Sequence, residues 1–496
     1  MSSSPWSLLS LAALLWLSFA APASATNGAI PTMVGARSPV SLPMEGDAQS
    51  FFRMPSGMAW SLESEIDLTL FAVYQSSTMR NSLNDFDNSG TSPGGSGGFL
   101  IAPLRGPQAE GLPEGAVGRF TYAGGLFVDV GGGASSGGAD IRWQDFPQTI
   151  DMGTGLLFLS ATFSTSYAVT DWFSVGLGLN LLQVTAASET LFASSSEDGL
   201  AGSPQIQGVP LPGNPTYSDL LNLFSTGEDS DPNTGVKAEL GGVQFAPTLS
   251  FSLRPLPNLA IGFSYRPRSF VLQDLEGTAD VDATVTFNSA VSGLAPPIQS
   301  LFFATLPDGG SRGYRSRYDI VVSELYSPTQ ARLSIAWRPI PRLLLAGEVA
   351  WIEWHRAIST IEVVLTNGSN NDVNFVVGSD RVDTTLAQRW SNQWVFMLFA
   401  EFALTDTFWL RTGWNYGRTP LNTERWDNSP TSAFVEHHVY LGFGKRWGRF
   451  SLDVLGELGI PRSVDNAGER AASATGRNSD YTSLQAFLHL GLKWHF

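Results

Sequence analysis

LQAFLHLGLKWHF, residues 484–496, is the stretch that decides the fold. Leu484, Ala486, Leu488, Leu490, Leu492, Trp494 and Phe496 fall at every second position, and Gln485, His489, Lys493 and His495 stand between them. A period of two sends successive side chains to opposite faces of an extended strand, so this segment has one oily and one polar face. The same asymmetry returns upstream. Phe173, Val175, Leu177, Leu179 and Leu181 alternate with Ser174, Gly176, Gly178 and Asn180. Leu259, Ile261, Phe263 and Tyr265 alternate with Ala260, Gly262, Ser264 and Arg266. Leu333, Ile335 and Trp337 alternate with Arg332, Ser334, Ala336 and Arg338, and Phe408, Leu410, Trp414 and Tyr416 with Trp409, Arg411, Gly413 and Asn415.

A water-soluble sandwich turns its oily faces together, whereas a barrel in lipid turns them outward and keeps the polar face for its lumen. Charged residues on the polar face need water or partners, because burying an unpaired charge is costly. Composition favours lipid: 15% of residues are charged, 11% are aromatic and 51 are Gly, against about 25% charge in an ordinary soluble domain. The chain also stops on an aromatic residue at the end of an amphipathic strand, which resembles the terminal strand of bacterial outer-membrane barrels.

The connections fall into two classes. Short turns are near-twins, Arg254-Pro255-Leu256-Pro257 with Arg338-Pro339-Ile340-Pro341, and Ala168-Val169-Thr170-Asp171 with Ala403-Leu404-Thr405-Asp406. Long connections rich in Gly, Ser, Asp and Asn are expected at 81–98, 131–150, 190–240, 286–325, 366–387, 421–434 and 463–480. Short turns on one side and long loops on the other is the outer-membrane arrangement, and alternating them gives about fourteen strands. The expected fold is therefore all-β, a transmembrane antiparallel β-barrel.

The N-terminus reads differently. Residues 1–36 carry no charged side chain, Leu8–Ala20 is apolar, and Ala23-Ser24-Ala25 is a small-x-small cleavage signature. Residues 1–25 read as a secretory signal peptide, the apolar core being short of the roughly 20 residues of a spanning helix. Thr26–Met58 shows neither period and holds four prolines and four glycines. The expectation is a hatch over 26–57 that plugs the lumen of a barrel over 58–496.

A net charge of -16, from 45 acidic and 29 basic residues, argues against nucleic acid, whose phosphates need clustered cations. With no Cys, disulfides, thiolate metal sites and thiol nucleophiles are excluded. His355, His437, His438, His489 and His495 accompany no nucleophile motif and no metal-ligand spacing. The run GGGASSGG at 131–138 lacks the Lys-Ser/Thr of a phosphate loop. No catalytic residue, metal or cofactor is expected.

Two long connections are partly apolar. Residues 217–224 hold Leu220, Leu221, Leu223 and Phe224 in a possible helix capped by Ser218, and 294–306 hold Leu301, Phe302 and Phe303. Such residues either form a binding surface or pack on each other. By alternation Arg332, Arg338, Arg411 and Lys493 face the lumen, with Glu348 as a counter-ion. They serve either as a salt-bridge network between strands or, for Arg332 and Arg411, as partners for an acidic ligand.

Five segments together resemble the FadL-type family of outer-membrane transporters for long-chain fatty acids and hydrocarbons. They are GDAQSFFRMPSGM at 46–58, WFSVGLGLN at 172–180, IGFSYRPRSFVLQDLEGTA at 261–279, YSPTQARLSIAWR at 326–338 and WLRTGWNYGRTP at 409–420. The first is similar to the stretch ending the family's plug, with Met54-Pro55-Ser56 where the family has Asn-Pro-Ala. The resemblance implies a monomeric fourteen-stranded barrel in the bacterial outer membrane, with outer-membrane lipid around it. It also implies a hydrophobic groove in the loops, a hatch whose gate includes Gly46, Asp47, Met54, Pro55, Ser56 and Gly57, and sideways release of an oily ligand into the membrane. A general diffusion porin and a surface adhesion or structural barrel are the competing functions.

Overall fold

The computed structural model describes residues 36–496 except 45–46, 48–49, 81–84, 103–118, 136–140, 143–148, 151–152, 194–204, 207–208, 211–212, 214–232, 287–310, 359, 372, 375–377, 388–389, 421–434 and 467–478. Residues 1–35, including the segment expected to be a signal peptide, thus lie outside the described residues.

Fourteen antiparallel strands close into a barrel. They are β1 (Glu65–Arg80), β2 (Asp85–Ile101), β3 (Phe120–Ser135), β4 (Gly153–Ala168), β5 (Phe173–Ala193), β6 (Asn233–Leu256) and β7 (Leu259–Arg266 and Phe270–Thr286). Then come β8 (Ser311–Ser323 and Thr329–Ile340), β9 (Leu343–Glu353 and Thr360–Thr366), β10 (Val382–Ala387 and Gln393–Thr405), β11 (Phe408–Gly417), β12 (His437–Trp447), β13 (Phe450–Asn466) and β14 (Ser479–His495). Closure is made by β1 against β14, in register from Glu65 opposite His495 to Arg80 opposite Asp480. Closure pairs the first strand with the last, which is why a sheet that spans a membrane must close.

The face pattern of the opening stretch is realised. In β14, Leu488, Leu490, Leu492 and Trp494 are exposed on the outer face, while Gln485, His489 and Lys493 are buried on the inner one. The twin turns join β6 to β7 and β8 to β9 at one end, the periplasmic end in the outer-membrane arrangement.

One expected loop is strand instead. Residues 85–98 belong to β2, which pairs with β1 over its whole length, from Glu65 opposite Leu100 to Arg80 opposite Asp85. Gly- and Ser-rich composition suggested a loop, but ladder bonds to β1 override the low strand propensity. The regions expected as loops at 190–240, 286–325 and 366–387 likewise contain the strand pieces Asn233 onward, Ser311–Ser323 and Val382–Ala387.

The wall has two kinds of discontinuity. Between β2 and β3 the ladder covers only Gly97–Ile101 with Tyr122–Leu126. Among the described residues, β2 beyond it pairs with β1 alone and β3 with β4 alone, and β3 carries an extra residue, Asp129, between Val128 and Val130. The second kind is a row of interruptions in four neighbouring strands, β7 to β10. Pro267 and Pro328 sit in the first two, where a residue without N–H cannot extend a ladder. Glu324 adopts φ 60° in the second, and a single helical turn, α1 (Trp354–Ala357), fills the third.

Polarity inverts across this row. Below it β8 presents Leu333, Ile335 and Trp337 outward and buries Ser334. Above it β8 exposes Arg315, Arg317 and Asp319 and buries Tyr318, Ile320 and Val322. In β6, outward Leu249 and Phe251 give way to outward Lys237 and Glu239, and inward Ser250 and Ser252 to inward Ala238. Outer faces that turn from apolar to charged mark the end of the lipid band.

We expect Leu490→Arg to lower the stability of the barrel in phospholipid vesicles by about 2–4 kcal/mol, the cost of a cation on the lipid face near the midplane. Urea unfolding followed by tryptophan fluorescence measures it, and an unchanged midpoint would mean that Leu490 does not face lipid.

Candidate functional site

The lower lumen is occupied by the described residues of 36–61. Ser50–Arg53 forms one helical turn and Pro55–Trp60 a 3₁₀ turn, and every residue of both is buried. Side chains from the inner faces of β4, β5 and β6 supply the hydrogen bonds that this patternless backbone cannot make internally. Ser164 Oγ donates to Phe51 O at 2.5 Å, Ser174 Oγ donates to Ser56 O at 2.9 Å, and Ser56 N donates to Ser250 Oγ at 2.8 Å. Ser56 Oγ also pairs with Ser252 Oγ at 2.8 Å. Two wall glycines make room: a side chain at Gly176 would overlap Pro55 and Ser56, and one at Gly262 would overlap Met54 and Pro43. The small residues of the polar strand faces are therefore where the segment seats.

Charge fixes it further. Arg37 Nη2 meets Glu401 Oε1 at 3.0 Å, and Arg411 Nε donates to the same carboxylate at 2.7 Å while its Nη1 meets Asp453 at 2.5 Å. Lys493 Nζ stands 3.5 Å from Asp67 and 3.7 Å from both Asp453 and Asp47. A second group joins Arg332 to Glu348 at 2.8 Å, with Ser41 N donating to the other Glu348 oxygen at 2.8 Å. Removing one partner of such a buried pair costs about 3–5 kcal/mol, because the other charge is left uncompensated. Arg53 Nη1 donates to Pro39 O at 2.8 Å. Burial, and then the nearby Arg332 guanidinium, push Arg53 below the ordinary guanidinium value.

Above the segment the inner faces of β4 to β10 are apolar. Val40, Leu42 and Met44 join one cluster with Phe158, Leu182, Val184, Leu275, Tyr318 and Ile320. Phe71, Val73, Val128 and Phe487 form a second. Phe51 and Phe52 pack on Phe127 of β3, with ring centroids 5.9 Å and 3.9 Å away. An inward apolar surface inside a barrel has no lipid to face and suits an oily solute.

Of the residues singled out in the sequence, Arg332 and Arg411 do face the lumen, and both are engaged by wall carboxylates. Glu348 is the counter-ion of Arg332, and Lys493 is buried among acids. Asp47, Met54, Pro55, Ser56 and Gly57 all lie in the seated segment, with Met54 filling the space over Gly262. Gly46, the apolar group Leu220, Leu221, Leu223 and Phe224, and the group Leu301, Phe302 and Phe303 lie outside the described residues. Sequence reasoning missed Asp129 and the buried set His438, Glu457 and His489, in which His438 Nδ1 stands 2.8 Å from Glu457. Among the described residues no group of His, Cys, Asp or Glu could hold a metal ion.

Residues 145–430 match the family described as outer membrane protein transport protein (OMPP1/FadL/TodX). The fold is similar to that of the Pseudomonas putida toluene transporter TodX, at 16% identity and TM-score 0.66, covering 96% of this chain and 99% of that one. It is similar to the Ralstonia pickettii toluene transporter TbuX at 15% identity and TM-score 0.61, over 91% and 94% of the two chains. A Pseudomonas aeruginosa FadL homologue aligns at 16% identity and TM-score 0.59, over 96% and 100%. Among curated proteins no relative is detected by sequence.

Gly176→Leu should unseat Pro55 and Ser56 while leaving the outer face of β5 untouched. In planar bilayers its steady conductance should rise several-fold over the parent chain, and an unaltered conductance would show that the segment does not obstruct the lumen at β5.

Proposed function

The chain belongs to the outer membrane protein transport family of OMPP1, FadL and TodX, and from that premise we propose a route for the hydrophobic molecules it carries. It is a transport channel of the bacterial outer membrane, not an enzyme. The observation that carries the route is the inversion of polarity: on β4 to β10 the upper inner face is apolar, and the lower lumen is polar and filled by the chain's own residues.

A solute enters from the loop end, where the apolar stretches 217–224 and 294–306 act as its first groove. It moves into the chamber lined by Phe158, Leu182, Val184 and Ile320. Burial there contributes roughly 0.8 kcal/mol per CH₂, so affinity needs little polar recognition. The seated segment acts as a hatch that blocks the way to the periplasm. The way out is sideways, through the part of the wall where β2 and β3 are not paired. Transfer from an apolar chamber into the acyl chains of the membrane avoids re-exposing the solute to water. Movement is passive, driven by concentration.

Long-chain fatty acids and monoaromatic hydrocarbons are the candidate cargoes. Toluene is what the names of the Pseudomonas putida and Ralstonia pickettii proteins specify. A diffusion porin would need a wetted polar lumen, and here Ser174, Ser250 and Glu401 of the lower lumen are bonded to residues of the N-terminal segment. The proposed transport unit is a single chain, whose wall needs no second chain to close.

Deleting residues 26–57 should leave heat-modifiable, folded barrel in the outer membrane and change uptake of radiolabelled oleate or toluene at least several-fold. Uptake that is the same in cells with and without the whole gene would count against transport of these compounds.

A further inference from the structure

On β12 and β13 the outward face stays apolar down to the turn that joins them at the periplasmic end. Leu441, Phe443 and Trp447 alternate outward on β12, and β13 begins with Phe450, which is 63% exposed. Lys445 takes the outward position between Phe443 and Trp447. It stands opposite Phe408 on β11 and Leu452 on β13. A lysine at the last step of a lipid-facing strand lays its stem along apolar neighbours and sends its ammonium to the level of the headgroups. The turn itself has two residues, Gly448 and Arg449, between the paired Trp447 and Phe450. Gly448 takes φ 59°, as the first position of such a hairpin turn requires, and Arg449 is exposed at the tip.

The neighbouring turn, Asp406-Thr407 between β10 and β11, belongs to the same surface. Arg446 N donates to Thr407 O at 2.9 Å, and Lys445 Nζ donates to Thr407 Oγ1 at 3.0 Å. Thr407 therefore keeps its own hydroxyl hydrogen for another acceptor. Arg446 is engaged within the chain: Nη2 meets Glu63 Oε2 at 2.9 Å and Nε donates to Gly448 O at 2.9 Å. Lys445 and Arg449 differ from it. Among the described residues neither pairs with a carboxylate, and Asp406 is the one acid of the two turns. A cationic patch thus stands on a chain whose net charge is -16. Exposed Arg342, whose carbonyl accepts from Ala403 N at 2.8 Å, continues it toward β9.

We propose that Lys445, Arg449 and the Thr407 hydroxyl bind the headgroup phosphate of an anionic phospholipid in the periplasmic leaflet, with Trp447 and Phe450 against its glycerol and upper acyl chains. The cations call for an anion, and the apolar surface continuous with them calls for a tail. An acidic protein in the periplasm would meet the cations and leave Phe450 and Trp447 uncovered. A zwitterionic lipid brings its own cation beside the phosphate, so it gains less from Lys445 and Arg449. The site lies on the outer wall and is independent of what the channel carries. Through Arg446 and Glu63 it adjoins the joint at which the N-terminal segment enters β1.

The test is native mass spectrometry of the full chain released from micelles that hold equal amounts of dioleoyl phosphatidylglycerol and dioleoyl phosphatidylcholine. The parent chain should retain the anionic lipid about twentyfold more than the zwitterionic one. Lys445→Gln and Arg449→Gln should each lower that ratio roughly fivefold, the worth of one cation near a charged lipid surface, and together bring it close to one. Arg449→Lys, which keeps the charge, should hold the ratio within about twofold, as should Arg418→Gln at the opposite end of β11. Heat-modifiable gel migration confirms folding, and Arg449→Gln carries the test alone should Lys445→Gln not fold. Equal retention of the two lipids by the parent chain overturns the site, as does retention of neither. A preference that survives in the double variant, or that falls equally in Arg418→Gln, overturns the assignment to Lys445 and Arg449.

Discussion

A charged group that faces the inside of a barrel needs water or a partner, and in the lower half of this barrel the partner is the chain's own beginning. Arg37 and Ser41 reach Glu401 and Glu348 on the wall. Ser56 reaches three serines on β5 and β6. The rest of the architecture depends on this exchange. Without residues 36–61, Ser164, Ser174, Ser250 and Ser252 would exchange these partners for water, and Glu401 and Glu348 would keep only their wall partners. With them, these groups are paired, and the inner faces of β4 to β10 are apolar above.

Much of the fold was legible in the sequence because a barrel in lipid repeats one rule strand after strand. The alternation in β5, β7, β8, β11 and β14 survives in the structure with the same residues outward. The strand β2 was not legible. Gly and Ser placed at 89–98 look like a loop tip, and only the ladder offered by β1 makes them a strand. The interruptions of β7 to β10 were also hidden. Pro267 and Pro328 are visible, but that four neighbouring strands break at one level is a property of the register, which local patterns do not contain.

The site was legible in part. Periodicity is a good guide to which side of a strand a residue takes, so Arg332, Arg411, Lys493 and Glu348 were assignable to the lumen. Periodicity says nothing about what lies across the lumen. Asp129 and Arg266 are 137 residues apart and meet only because the ring closes. The Gly and Ser positions of WFSVGLGLN carried a signal that was available but unread: an inner face made small over several residues is a socket, and the segment 54–57 is what it holds.

The inversion of polarity bears on where the outer membrane resists oily solutes. Strand β6 has 24 residues. Tilted at about 40°, a strand of that length rises roughly 60 Å, more than twice the apolar band of about 25 Å. Its charged upper exterior therefore stands in the polar layer that covers the acyl chains. That layer, not the hydrocarbon beneath it, is the large term in the series resistance to a hydrophobic solute. On the proposed route, a collar that is wet outside and oily inside is a shunt across it, and the acyl chains take over at the depth where the shunt ends.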